Sequence, residues 1–561
     1  MLGVVALAAG SLAAVAPAAA NAPGSPGTPS APVTVFTEGF ENGQGAPVTT
    51  LTDYTGAPPT GEQYTADPAW LTACNGLIVS AQAPGSPPPG VYCGSFWAAN
   101  KQMAAALGTW AGGDAATNHS LTAYTAGDPG AGRTQLETVQ PIPLGAQNRF
   151  LTFSVDAAAQ NCFASHPLLA FYLLDGGTPR AAFSSPIDPC QNPGQVIGGT
   201  AVGTYASNGS VLFSGDSAGI RLVNEQASGG GNDGAVDNIR LLDATPQLDQ
   251  AFAPAQLPVG APTTLTFTVT NTSELAAKKG WSFTAQLPAG LVLDPAGPTT
   301  DCGPDATAVN AGPGTVAVHG DLAAGQTSCT ATVRLTSLTG GTYQVCAPAV
   351  TARIGLDPPG CTSVTFTAPV FDARAHGVRL TSPLTTIGPL PLSAHSCTPL
   401  PGEDADAVLG AGLGAVGTLG ALSTDAAGTV DPDGTRTASA HAQAAGVNLL
   451  GGLITADLVG TSARARQALS TDGPGTVTTD GATTLVNLRV AGVSVSADAA
   501  PNTTIGLPLV GSLVVNQQTP LAGGKGTRVT ALSLTLLTGT RLTVAQSGAA
   551  LLTTADACPV T

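Results

Sequence analysis

An alternation of apolar and hydroxyl side chains, with a period of two residues, constrains the fold of this chain most. Leu265, Phe267 and Val269 alternate with the threonines at 264, 266, 268 and 270. Successive side chains of a strand point to opposite faces, so this run predicts a half-buried strand. A second alternating run spans 281–287 and ends in the Pro/Gly corner at 288–290. Two strands of this kind predict a β-sandwich module.

Composition extends this prediction to the whole chain. Its 561 residues are too many for one hydrophobic core, which predicts two to four domains. Only 10% of the residues are charged, and 71 glycines and 45 prolines are dispersed among alternating runs, as in proteins with many turns. The sequence therefore predicts an all-β protein with three β-sandwich-type domains in tandem.

The charge balance excludes some partners. The net charge is −16, and no run of the sequence is rich in lysine and arginine. Neutralising the phosphates of a nucleic acid requires clustered cations, so we expect no nucleic-acid partner. Peripheral binding to an anionic membrane is disfavoured for the same reason.

The N-terminus predicts export. An apolar run over residues 2–15 precedes small residues with an A-x-A pattern, which indicates a signal peptide over 1–22. Residues 23–35, rich in proline, glycine and serine, predict a flexible linker. No later apolar run reaches 18 residues, so we expect no membrane span after signal removal.

Ten cysteines without a CxxC motif favour disulfides in an exported chain. The alternative, a metal site, would need Cys and His at ligand spacing, and the six histidines are scattered. Pairing of sequence neighbours predicts five bridges: Cys74–Cys93, Cys162–Cys190, Cys302–Cys329, Cys346–Cys361 and Cys397–Cys558.

The first unit, 36–243, opens with FTEGFENG and closes with GNDGAVDNIRLL. First and last strands that both carry carboxylates predict a jelly-roll-like domain in which these strands pair. Glu38, Glu41 and Asp237 are candidate ligands for a structural calcium ion, because Ca²⁺ takes six to eight oxygen ligands. The alternative is three solvated surface carboxylates.

Most of the tryptophans also lie in the first unit. Trp70, Trp97 and Trp110 are candidates for stacking on sugar rings. The alternative is that they belong to the core, since each aromatic ring buries a large area.

One short motif resembles a hydrolase signature. Residues 215–219 read G-x-S-x-G, which in a nucleophile elbow places serine between a strand and a helix. A strand-like run follows Ser217, and the next histidine along the chain is His319, in another predicted domain. We therefore interpret the motif as a hairpin turn.

The middle unit, 244–368, contains VTNTSELAAKKGWSFTAQLPAGLVL, then GDLAAGQTSCTATVRLTS and GTYQVCAPAV. This ordered set resembles the DUF11-type repeat domain of bacterial surface proteins. The resemblance implies an immunoglobulin-like sandwich that serves as a spacer or adhesive stalk and carries no catalytic residues.

The third unit, 369–561, contains ASAHAQAAGVNLLGGLITADLVGTSARAR, TTLVNLRVAGVSV and TRVTALSLTLLTGTRLTVAQSGA. These phrases resemble the choice-of-anchor P domain of actinobacterial secreted proteins. Its strands alternate Val, Leu and Ile with Thr, Ser and Asn, which predicts a β-rich sandwich or barrel.

Together these features predict an exported, non-catalytic cell-envelope or extracellular protein. We expect it to be adhesive or binding, with polysaccharide (through 36–243) or a surface protein as partner. No cofactor is expected beyond the candidate calcium ion. The alternatives are a purely structural spacer and a secreted hydrolase.

Overall fold

The computed structural model describes most of the chain, namely residues 25–72, 74–86, 93, 97–125, 127–470 and 473–553. The predicted signal peptide, 1–22, lies outside these residues. So does Cys558, the predicted partner of Cys397. Within the described ranges, no helix has the length and hydropathy needed to cross a bilayer.

The first unit is a two-sheet sandwich. Its strands are β1 (Val33–Glu38), β2 (Thr49–Thr50), β3 (Tyr64–Thr65), β4 (Leu77–Val79), β5 (Ser120–Tyr124), β6 (Arg133–Thr138), β7 (Ile142–Pro143), β8 (Arg149–Gln160), β9 (Leu169–Asp175), β10 (Thr178–Ala181), β11 (Gln195–Ile197), β12 (Thr200–Ala206), β13 (Val211–Phe213), β14 (Ser217–Asn224) and β15 (Asp233–Asp243). One sheet has the order β11-β12-β8-β15-β5-β4-β2, with β1 beside β15 and β13 beside β8. The other runs β10-β9-β14-β6-β3, with β7 beside β14.

The core of this unit lies between its two sheets. Phe153 of β8 and Phe171 of β9 meet there, with ring centroids 5.0 Å apart. The predicted pairing of the first and last strands is confirmed, because β1 runs antiparallel to β15 with Thr37 opposite Arg240. A helix, α1 (Trp97–Trp110), covers the other face of the nine-stranded sheet, where Leu107 packs near Val202.

The middle unit is a second sandwich. Its strands are β16 (Gln247–Ala253), β17 (Gln256–Pro258), β18 (Thr263–Thr270), β19 (Lys278–Gln286), β20 (Val292–Leu293), β21 (Thr299–Thr300), β22 (Thr307–Gly312), β23 (Thr315–Leu322), β24 (Ser328–Thr336), β25 (Gly341–Val345), β26 (Val350–Ile354) and β27 (Thr362–Thr367). The sheets are β16-β18-β24-β20 with β21, β17-β27-β25, and β22-β23-β19-β26.

The period-two pattern of β18 is the reason for this arrangement. Leu265, Phe267 and Val269 are all buried, while the threonines between them are half-buried. β18 and the second predicted strand, β19, lie in different sheets, so their apolar faces meet across the core. Phe267 and Phe283 are in contact there, with ring centroids 5.0 Å apart.

The third unit is a sandwich of two large open sheets rather than a barrel. Its strands are β28 (Val370–Thr381), β29 (Thr386–Thr398), β30 (Gly402–Val408), β31 (Ala411–Gly412), β32 (Gly417–Leu419), β33 (Leu422–Val430), β34 (Arg436–Leu449), β35 (Ile454–Gln467), β36 (Leu469–Ser470), β37 (Gly473–Pro474), β38 (Thr478–Val486), β39 (Arg489–Val490), β40 (Val493–Ser494), β41 (Thr503–Leu507), β42 (Gly511–Leu521), β43 (Gly526–Leu536) and β44 (Arg541–Leu552). The six-stranded sheet runs β29-β28-β44-β43-β42-β41. The nine-stranded sheet runs β30-β33-β34-β35-β39-β40, with β31, β32 and β38 at its side. Short 3-10 turns across the three units span Leu51–Asp53, Ala347–Ala349, Gly414–Val416, Leu450–Gly452 and Ala522–Gly524.

Buried contacts join the first and middle units. The Arg149 guanidinium forms ion pairs with Asp243 and Asp357, each at 2.5 Å, and all three side chains are at most 9% exposed. Phe150 beside it belongs to the hydrophobic core of the middle unit. Gly355 lies against this ring with φ +63°, and a Cβ there would come within 2.3 Å of it. The two units therefore share a packed interface in which one arginine bridges two buried aspartates.

The predicted flexible linker, 23–35, is corrected by the structure. Its described residues run along the middle unit, where the Gly27 amide donates to Thr270 Oγ1 at 2.9 Å. The Ser273 amide donates to the Ser30 carbonyl at 2.7 Å. Strand β1 then begins at Val33, inside the predicted linker. Proline and glycine indicated a segment without regular structure, but backbone pairing with another unit holds it in place.

Candidate functional site

Glu38, the first candidate calcium ligand, is buried among hydrogen-bond donors. Its Oε1 accepts from the Phe40 amide at 2.6 Å and from the Tyr54 hydroxyl at 2.9 Å. Its Oε2 accepts from the Tyr64 hydroxyl at 2.6 Å. Burial and the charge of Glu38 raise the pKa of both tyrosines, so these groups remain neutral donors. The carboxylate is thus solvated by the protein itself.

Glu41, the second candidate, pairs with a histidine. Its Oε1 accepts from the His119 amide at 2.6 Å, and its Oε2 lies 2.7 Å from Nδ1 of that ring. The other ring nitrogen, Nε2, lies 3.0 Å from the Gly45 carbonyl. Burial disfavours the charged ring, but the hydrogen bonds to Glu41 and Gly45 and the Glu41 charge outweigh it, so the pKa of His119 is raised. Both ring nitrogens therefore face acceptors, as an imidazolium requires.

Asp237, the third candidate, lies in β15 opposite Asp156 of β8. Its carboxylate accepts from Asn118 Nδ2 at 2.9 Å and from the Asn238 amide at 2.7 Å. Burial raises the pKa of Asp237 to about 7, and the charges of Glu41 and Asp156 add to this effect.

The structure gives each candidate calcium ligand its own hydrogen-bond donors and does not gather the three into one compact group. Glu38, Glu41 and Asp237 are not among the described groups of side chains whose ligand atoms all lie within 4.8 Å of one another. Their oxygens face N–H and O–H donors, whereas Ca²⁺ needs a shell of oxygen acceptors. The sequence placed Glu38 and Asp237 on paired strands correctly, with Glu41 in the loop after β1, but could not show that each carboxylate has its own donor.

Two other groups of side chains do meet that distance, but their cysteines are oxidised. They are His166, Asp188 and Cys190, and Asp301, Cys302 and Cys329. Each cysteine belongs to a disulfide and offers no thiolate to a metal. His166 Nδ1 lies 3.0 Å from Asp188 Oδ1 instead.

The predicted sugar-stacking platform is contradicted for two of its three members. Trp70 is 2% exposed and Trp97 is 3% exposed, so neither ring face can meet a ligand. The Trp97 indole donates to the Pro84 carbonyl. Trp110 ends α1, donates to Thr204 Oγ1 at 2.9 Å, and packs against Gly194. Trp97 and Trp110, at the two ends of α1, fix this helix to the sheet, whereas Trp70 belongs to the core between the two sheets.

The disulfides follow the predicted pairing of neighbours. The structure joins Cys74 to Cys93, Cys162 to Cys190, Cys302 to Cys329 and Cys346 to Cys361. The predicted fifth bridge from Cys397 involves Cys558, outside the described residues.

Ser217 begins strand β14, opposite Pro143 of β7. The neighbouring Ser214 hydroxyl donates to Asp175 at 3.0 Å. A strand follows Ser217 where a nucleophile elbow requires a helix.

The third unit contains a polar cavity that the sequence did not indicate. It has a volume of about 270 Å³ and lies on the six-stranded sheet. We call it the basic pocket, after the charged and polar side chains that line it: Asp372, Arg374, His376, Arg379, Arg528 and Gln546.

Strand pairing brings these distant residues together. Gly548 of β44 lies between Arg374 of β28 and Arg528 of β43, opposite both. Adjacent strands are about 4.8 Å apart, so the two arginine backbones are roughly 10 Å apart. A Cβ on Gly548 would meet no atom closer than 3.7 Å, so the space above this residue is open.

A crease across the sheet adds a third arginine. Gly377 of β28 and Ala545 of β44 are left out of the pairing between these two strands, and Ala545 has φ 48°. Two strands away, Asn516 of β42 also has a positive φ, of 53°. We call this line of irregular residues the crease. Strict alternation would direct Val378 to the pocket face, yet Val378 is fully buried and Arg379 is exposed. The crease therefore places Arg379 on the same face as the pocket.

The charges of the pocket are only partly compensated. Arg374 Nε donates to Asp372 Oδ1 at 3.0 Å. Within the described ranges, no carboxylate forms an ion pair with Arg379 or Arg528. Burial and the charges of these two arginines lower the pKa of His376 to about 4, so its ring is neutral near pH 7.

Comparisons with known proteins complete the description. Residues 246–368, nearly the whole middle unit, match DUF7933, a domain of unknown function. No curated protein matches the sequence. Among solved structures, a non-cellulosomal cohesin from the archaeon Archaeoglobus fulgidus is 7% identical, with a TM-score of 0.16, over 22% of this chain and 92% of that chain. The major pilin subunit of Bacillus cereus is 11% identical, with a TM-score of 0.20, over 51% of this chain and 92% of that chain.

Proposed function

We propose that this protein is an exported, non-catalytic β protein of the cell envelope or the extracellular space, with an adhesive or binding role. The observation that carries the proposal is the set of four disulfides in the first and middle units. Disulfides of this density persist in oxidising compartments and are rare in the cytosol. The predicted signal peptide supports the same location.

The contacts between units support a role as a rigid support. Arg149, paired with two aspartates, and Phe150, inserted into the neighbouring core, join the first and middle units. In the third unit, Leu469 of the β36–β37 hairpin packs against the middle unit at Gly260. A body joined in this way can present a binding face at a fixed distance and orientation.

The partner that we propose is a polysaccharide or a surface protein. Burial of Trp70 and Trp97 removes the support for sugar stacking on the first unit. The likenesses of 244–368 to DUF11-type repeats and of 369–561 to choice-of-anchor P domains stay predictions from the sequence. They support a surface location.

Co-sedimentation with cell envelopes tests this function. The purified full chain is mixed with envelope fragments of the source organism and with envelopes of an unrelated bacterium. Saturable sedimentation with the first, competed by an excess of unlabelled chain, is expected. A chain that stays in the supernatant in both mixtures would favour the purely structural alternative.

A further inference from the structure

We propose that the basic pocket of the third unit binds the anionic group of an acidic saccharide, either a carboxylate or a phosphate. This inference names a ligand class for the adhesive role proposed above and rests on it. It moves the binding face from the first unit, where the sequence placed it, to the third.

The basic pocket concentrates positive charge on an acidic protein. The whole chain has 19 lysines and arginines against 35 acidic residues. Three of those few cations line one cavity, and Asp372 is the single carboxylate beside them. Because His376 is neutral, the lining has a charge of about +2 on a strongly acidic protein. Such a site attracts an anion against the repulsion of the remaining surface.

The arginines of the pocket have free hydrogen-bonding capacity. A guanidinium group has five N–H donors in a planar fork that matches a carboxylate or a phosphate. Arg374 Nε donates to Asp372, and this hydrogen bond orients the remaining N–H donors of Arg374. No described protein group accepts a hydrogen bond from the side chain of Arg379 or Arg528 within the lining of the pocket. An incoming anion would supply the missing acceptor.

The shape of the cavity narrows the class of ligand. A volume of about 270 Å³ is near the lower end of small-molecule sites and suits one sugar-sized residue. Gly548 leaves the floor between Arg374 and Arg528 open. On one side, Pro389 and Leu392 form an exposed apolar wall against which the face of a sugar ring can pack.

Neutral polar groups complete the site for hydroxyl recognition. His376 Nε2 lies 3.1 Å from Thr543 Oγ1, and Gln546 Nε2 donates to Thr530 Oγ1 at 2.7 Å. These bonds fix the two side chains and leave His376 Nδ1 and Gln546 Oε1 for ligand hydroxyls. A ligand with one charge and several hydroxyls satisfies this lining better than a bare ion.

Titration calorimetry on the full chain tests the inference. The ligands are trigalacturonate for the carboxylate, glucose 6-phosphate for the phosphate, and uncharged maltotriose as the matched control. We expect one or both anionic ligands to bind and maltotriose to show no binding. Arg528→Gln and Arg379→Gln should each weaken binding about tenfold or more. Arg489→Gln, an exposed arginine on the other sheet, should leave it unchanged.

A second measurement does not depend on variants. Phenylglyoxal modifies accessible arginines, and peptide mass spectrometry reports each site. The bound ligand should protect Arg379 and Arg528 and leave Arg489 reactive. Equal binding of maltotriose, no binding of either anion, or equal modification with and without ligand would overturn the inference. If envelope co-sedimentation persists in those cases and is unchanged by Arg528→Gln, the adhesive function stands and this pocket is not its site.

Discussion

The buried carboxyl of Asp237 makes the stability of the first unit depend on pH in a defined direction. Its pKa is about 7 in the folded chain, against 3.8 for an ordinary aspartate. At a pH between these two pKa values, the Asp237 carboxyl is protonated in the folded state and ionised in the unfolded state. A folded pKa above the unfolded one gives stability that is complete at low pH and is lost as pH rises.

The size of the effect follows from the same numbers. At 1.36 kcal/mol for each pKa unit, the rise in the pKa of Asp237 from 3.8 to about 7 corresponds to a contribution on the order of 4 kcal/mol to the free energy of unfolding at low pH. About 3 kcal/mol of it should be lost between about pH 5 and about pH 8. Burial raises the pKa of Asp233 to about 6, and the pKa of His119 is also raised, so both groups change stability in the same direction.

Asp237→Asn should flatten this pH dependence, because the amide cannot ionise. Urea unfolding followed by tryptophan fluorescence measures it, since Trp70, Trp97 and Trp110 are three of the four tryptophans. Asp216→Asn, at an exposed position, is the control and should keep the slope of the parent. If Asp237→Asn loses as much stability between about pH 5 and about pH 8 as the parent, the reasoning about the buried carboxyl is refuted.

Three further predictions concern the interface, the disulfides and the serine motif. Arg149→Met leaves two buried aspartates without a cation and should lower the free energy of unfolding by about 3–5 kcal/mol. Arg133→Met, at a partly exposed ion pair, should lower it by less than about 1 kcal/mol. Equal urea midpoints for the two variants would contradict this. Replacing Cys302 and Cys329 by alanine removes a 27-residue crosslink and should cost about 3–4 kcal/mol in urea unfolding, and an unchanged midpoint would show that the bridge constrains little. A fluorophosphonate probe should not label the chain, and labelling that Ser217→Ala abolishes would favour the hydrolase alternative.

Much of the fold could be predicted because it depends on local patterns. The period-two runs of 263–270 and 281–287 correspond to buried faces in β18 and β19. Short separations between cysteines identified four disulfides.

The candidate binding residues were predicted less well than the fold, because their positions depend on long-range packing. The residue type does not show whether a tryptophan is exposed on a binding face or buried in a core, so Trp70 and Trp97 were compatible with either position. Arg374 and Arg528 are 154 residues apart and become neighbours of Gly548 only through the pairing of β28, β44 and β43. The crease that adds Arg379 leaves no periodic signal, since it interrupts the alternation that would reveal a strand.

Disulfide mapping of the native protein tests the central claim, that this is an exported and oxidised β protein, most directly. Whole cells and their medium would be treated with a membrane-permeant alkylating agent, the medium, envelope and cytoplasmic fractions would then be separated, and the peptides of each would be analysed without reduction. The account predicts recovery outside the cytoplasm, with the pairs Cys74–Cys93, Cys162–Cys190, Cys302–Cys329 and Cys346–Cys361 intact. Recovery in the cytoplasm with these cysteines alkylated would contradict it.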